Sequence, residues 1–127
     1  MKYIFLFFLL ASSLLSDDYE YHDKRHIQKE LSHLKLSHTQ QKELKKILKS
    51  FRKELKEYRE FKEDIEEAKS REFLHNELNI EELNRLSHTL HLKAQKIENT
   101  FLKKMHLLLN KKQRKRFVKH FDDWEVE

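Results

Sequence analysis

The nine residues Leu36 to Leu44, LSHTQQKEL, decide how this chain folds. Ser37 is a good helix N-cap, and Gln40 stands three residues later, where its side chain can reach back to the cap's own amide while Ser37 bonds forward. This reciprocal pair is a capping box, and it predicts a helix beginning at His38. The segment LNKKQ at 109–113 repeats the pattern with Asn110 and Gln113, and LNIEE at 78–82 offers a third version with Asn79 and Glu82. No hydrophobic staple accompanies them, because Gln41, Arg114 and Leu83 after the boxes include only one apolar side chain.

The three starts divide the chain into a short helix over about 20–34, a long one over 38–74, another over 80–108 and a short one over 111–124. Composition agrees. With no Gly, no Pro, 38% hydrophobic and 39% charged residues, the 127-residue chain has almost no vocabulary for tight turns or sheet edges. The expected fold is all-α: one domain of four helices, two long and two short, in an extended hairpin.

Residues 1–16 are of another kind. Lys2, the apolar run Tyr3 to Leu10 and the small residues Ala11-Ser12-Ser13 read as a secretory signal peptide, with cleavage after Ser13 or Ser16 and a mature domain over 17–127. The other reading of this run is an uncleaved anchor or a buried core helix. The full chain carries a formal charge of +5, and removal of Lys2 lowers it by one. Zero Cys means that no disulfide framework is possible and that packing alone must fold the protein. Export would also separate the basic chain from nucleic acid, so no nucleic-acid partner is expected.

In the second helix Leu44, Leu48, Phe51, Leu55, Tyr58, Phe61, Ile65 and Ala68 step by three or four residues. Leu83, Leu86, Leu90, Ala94, Ile97, Phe101, Met105 and Leu108 do the same in the third, so both stripes are expected to face a core. Lys45, Lys49, Arg52, Lys56 and Arg59 follow the second helix's spacing one residue out of phase, which sets a basic ridge beside the apolar one. The alternative is an ordinary solvated face. Residues 41–59 hold eight Lys and Arg against three Glu, whereas 60–72 hold six acidic against three basic residues. A helix from 38 to 74 would be about 55 Å long, more than a compact domain of this size can cover. An antiparallel second copy would set basic half against acidic half, so a homodimer is expected, with a soluble monomeric hairpin as the alternative.

LKLSHTQQKELKKILKSFRKEL resembles the first Leu-Thr-x-x-Gln segment of the Spy and CpxP family of periplasmic proteins, and MHLLLNKKQRKRFVKHF resembles the second, in the right order and separation. Ser37 and Asn110 stand where the family has Thr, a conservative change for an N-cap. The resemblance implies a cradle-shaped antiparallel dimer in the periplasm of a Gram-negative cell. It further implies an ATP-independent chaperone that holds unfolded or misfolded envelope proteins on the concave face, with a link to the envelope stress response. Leu36, Ser37, Gln40, Leu109, Asn110 and Gln113 carry over as structural positions. Arg52 matches an Arg of the family's corresponding helix and leads the client-binding candidates, whereas Lys45, Lys49, Lys56 and Arg59 join it on spacing alone.

The competing reading is metal. The fold is similar to that of the CnrX and ZraP metal-responsive proteins, and the chain has nine His. His22 and His26 are four apart, with Glu30 one turn further, and could face one zinc or other divalent transition metal ion, while Met105 falls on a ligand-like position. His88 and His91 form a three-apart pair. That alignment also puts Leu31 and Phe101 where ligand His would be expected. A sensor kinase is a possible partner under either reading. No enzyme is expected, since there is neither a glycine for a phosphate loop nor a thiol nucleophile. Lys111 to Lys119 with Phe117, Phe121 and Trp124 could alternatively lie on a membrane surface.

Overall fold

The computed structural model describes residues 31–126, and the helix expected over 20–34 lies outside them except for its last turn. The signal-peptide stretch, His22, His26 and Glu30 are likewise outside the described residues. The chain divides after Lys35 into two units. In the described part of the first, the Leu34 amide closes a turn on the Leu31 carbonyl at 3.1 Å. Lys35 then adopts φ 52°, in the left-handed region that a residue with a Cβ enters at a cost of about 1–2 kcal/mol.

The second unit is all-α. Helix α1 runs His38–Phe73, α2 runs Ile80–Leu108 and α3 runs Lys111–Phe117, and a 3-10 segment continues from Val118 to Trp124. All three α-helices begin where the capping pattern places them. Ser37, Asn79 and Asn110 each accept the amide of the third helical residue, and the reciprocal Gln bond completes the box at Ser37 and Asn110. The expected fourth helix over 111–124 is corrected. It is α-helical only to Phe117, and His120 at φ −122° and ψ 31° breaks the path, so the last seven residues wind as tighter 3-10 turns.

Helices α1 and α2 form an antiparallel hairpin. Ser50 meets Lys104, Phe51 stacks on Phe101 and Phe61 lies under Lys93, so positions advance along α1 as they retreat along α2. The core lies on their facing stripes. Leu44, Leu48, Phe51, Tyr58 and Ile65 of α1 are buried, as are Leu86, Ala94, Ile97, Phe101 and Met105 of α2. Near the open end of the hairpin an aromatic cluster closes it. Phe51 and Phe101 stack at 4.3 Å between centroids, Trp124 lies 4.8 Å from Phe101, and Phe117 stacks on Trp124 at 5.8 Å. Such ring pairs contribute about 0.5–1.5 kcal/mol each beyond the area they bury, which explains how a seven-residue helix and a 3-10 segment are held to the hairpin. The Val126 amide also donates to Glu98 at 3.4 Å, fixing the end of the chain along α2.

Candidate functional site

At 36 residues α1 is longer than α2 at 29, and its first turns run past the last turn of α2. The start of α3 meets this overhang at Gln40, which brings the two capping boxes together. Gln40 Nε2 donates to Gln113 Oε1 at 2.8 Å, and Gln113 Nε2 donates back to Gln40 Oε1 at 3.0 Å. Gln40 Oε1 also accepts the Ser37 amide at 2.9 Å, while its Nε2 donates to the Leu108 carbonyl, also at 2.9 Å. All four hydrogen-bonding positions of the Gln40 amide are therefore used. Gln113 Oε1 accepts the Asn110 amide at 2.9 Å, and this side chain is the one buried polar residue among the described residues, at 5% exposure. One node thus satisfies two helix N-termini and the last carbonyl of α2. Leu109 beside it is buried and Leu36 is half-buried.

Box spacing revealed each cap but not their meeting. A capping box engages only the Oε1 of its Gln, so a buried Gln still needs acceptors for two N–H groups, and that need was the signal for a tertiary partner.

Lys45, Lys49, Arg52, Lys56 and Arg59 all lie exposed on one flank of α1, and none makes an ion pair or hydrogen bond among the described residues. The ridge is therefore five positive charges without local compensation. Its expected apolar neighbour is not available on the surface. Leu44, Leu48, Phe51 and Tyr58 are buried and Leu55 is half-buried, so the stripe is consumed by the core instead of standing beside the charges.

Exposed apolar side chains occur elsewhere: Phe73, Leu74, Leu78 and Ile80 at the closed tip of the hairpin, Leu92 and Leu107 along α2, and Val118 and Phe121 near the C-terminus. The tip is braced without Gly or Pro. Glu72 Oε1 accepts the Asn79 amide at 3.3 Å, its other oxygen lies 3.5 Å from His75 Nδ1, and the Leu74 amide bonds back to Ser70 and Arg71. On the first turn of α2, Arg85 Nε donates to Glu82 Oε2 at 2.8 Å and holds that carboxyl below its ordinary range.

Met105 is 1% exposed in the core, where its thioether could reach an ion only if the hairpin opened. His88 and His91 are exposed on α2. Among the described residues no three His, Asp or Glu side chains converge as a metal site, and no helix is long and apolar enough to cross a membrane. No protein-family model, curated protein or solved structure matches the chain.

Proposed function

We propose that this chain is a non-enzymatic, ATP-independent holding chaperone of the Spy and CpxP type, exported to the periplasm, that binds unfolded or misfolded envelope proteins. The observation that carries the reading is the ridge of Lys45, Lys49, Arg52, Lys56 and Arg59, exposed and unpaired among the described residues on a helix of 36 residues. Five like charges in a row cost the isolated fold some self-repulsion, and an acidic chain relieves it. Long-range attraction speeds encounter with acidic clients, and contacts that remain screened by solvent release them without nucleotide. The meeting of both boxes at Gln40 and Gln113 further supports the resemblance, since it explains why one short chain uses the pattern twice.

The charge halves of the helix also support an antiparallel homodimer along α1, in which the basic 41–59 half of each copy faces the acidic 60–72 half of the other through the flank of Lys42, Lys46 and Lys53, leaving the ridge beside it to clients.

The test is suppression of aggregation of a diluted, denatured acidic protein without nucleotide, with and without zinc. The mature protein should suppress aggregation near one dimer per client. Arg52→Glu with Lys56→Glu should slow capture several-fold at low salt and progressively less as salt rises. Unchanged aggregation at several-fold excess, with tight and specific zinc binding, would replace this function by a metal-binding sensor or resistance role.

A further inference from the structure

The hairpin tip joins two features that no contact among the described residues explains. Phe73, Leu74, Leu78 and Ile80 are 74%, 81%, 44% and 57% exposed within eight residues. Scattered exposed apolar residues are ordinary, but four gathered on the loop and the helix ends that flank it are of the kind that marks an interaction site. The loop presenting them is held in shape, since Glu72 ties the end of α1 to the Asn79 cap of α2 and Asn79 accepts the Glu82 amide at 3.1 Å. Around the patch the charge is strongly negative. Residues 72–82 hold Glu72, Glu77, Glu81 and Glu82 and no Lys or Arg, while the nearest cations are engaged, Arg71 by Glu67 at 2.8 Å and Arg85 by Glu82 at 2.8 Å.

We propose that this loop is a second client-contact site, one that takes apolar segments flanked by Lys or Arg. The inference rests on the chaperone reading and completes it, because the ridge supplies charge with little exposed apolar surface and the tip supplies apolar surface with the opposite charge. The acidic surroundings attract a cationic segment and repel an anionic lipid surface or a nucleic acid, which selects the occupant by charge complementarity. A second copy is a poorer occupant. Full antiparallel overlap of two α1 helices sets Phe73 opposite His38, so the loop after Phe73 projects beyond the overlap. Each client segment would therefore meet the part of the hairpin opposite in charge to itself, with basic-apolar stretches at the tip and acidic stretches on the ridge.

The experiment uses a labelled, unstructured peptide in which Leu and Phe alternate with Lys, and its counterpart with Glu in place of Lys, titrated with the full mature protein by fluorescence anisotropy. The Lys peptide should bind with an affinity that falls with salt and depends on the tip, whereas the Glu peptide, which the ridge can take, should be little affected by changes at the tip. Phe73→Ser with Leu74→Ser and Ile80→Ser should weaken Lys-peptide binding at least tenfold while circular dichroism and the urea midpoint stay unchanged, since all three side chains are exposed. Glu77→Lys with Glu81→Lys should remove the charge preference and leave the apolar patch intact. Lys-peptide binding that survives the triple Ser change would overturn the proposal. So would a triple variant that turns a wild-type dimer into a monomer, which assigns the loop to a second copy, or one that loses binding to neutral vesicles, which assigns it to lipid. Aggregation suppression is read separately. Its failure beside an intact, tip-dependent Lys-peptide preference removes the chaperone function and upholds the chemistry of the loop.

Discussion

The two ends of the hairpin solve the same problem in opposite ways. Each must bring a helix terminus to a chain reversal without Gly or Pro. The open end turns its polar groups inward: Gln40 and Gln113 pair, Leu109 is buried beside them, and Phe117 and Trp124 seal the stripe. At the closed end a single carboxylate, Glu72, braces the loop, and the apolar side chains point outward. The contrast separates stability from recognition. The open end holds the packing that makes the unit fold, whereas the tip can be altered with little consequence for folding and so is available for contact.

Paired truncations test this difference most sharply. Phe101→Ala, in the centre of the aromatic cluster, should destabilise the protein by about 3–5 kcal/mol in urea unfolding, whereas Phe73→Ala should change stability by no more than about 0.5 kcal/mol. A large loss from Phe73→Ala would show that the tip is packed against something and would end the contrast. The node comes next in size. Gln40→Ala should cost about 1–3 kcal/mol by stranding the buried amide of Gln113, Gln113→Ala somewhat less because Gln40 is half-buried, and the double variant should cost less than the two singles added together, with a coupling of about 0.5–1.5 kcal/mol. Additive losses would show two independent caps.

The smallest effect belongs to Glu82 and Arg85 near the tip. The hydrogen bond from Arg85 lowers the Glu82 carboxyl below its ordinary 4.5, an effect opposed by desolvation and reinforced by the charge of Arg85. A depressed folded-state value contributes stability that is complete above 4.5 and is lost as pH falls through the lowered value. Arg85 is exposed and Glu82 half-buried, so solvent screens much of the pair, and Arg85→Gln should lower Tm by under about 2 °C at neutral pH, a difference that should vanish in acid. A larger shift would mean that the first turn of α2 is less exposed than the tip residues beside it.

The starts of α1, α2 and α3 were legible in the sequence because capping is local. A side-chain acceptor and its amide donor stand three positions apart, and no distant residue is needed to complete the bond. The apolar stripes were legible for a similar reason, since a repeat near 3.6 residues places one face of a helix together whatever packs on it. The end of α3 was not, because no residue in KHFDDW forbids a further α-turn; the docking of Trp124 on Phe101 and Phe117 draws that segment into 3-10 geometry. Nor was the fate of the ridge's apolar neighbours. Periodicity placed Leu48, Phe51 and Tyr58 beside the basic residues, but only the approach of α2 and the C-terminal segment determined that they are buried.

By itself, then, the sequence determined an all-helical chain with starts at His38, Ile80 and Lys111 and five cations in line along α1, all consequences of contacts within about four residues. Tertiary structure decided that Gln40 meets Gln113, seventy-three positions away, and that Phe73, Leu74, Leu78 and Ile80 find no cover among the described residues. Both depend on the relative lengths and register of α1 and α2, which local bonding does not constrain. The start of α1 extends far enough for Gln40 to meet α3, while the tip lies where the two stripes separate and no third element among the described residues reaches it.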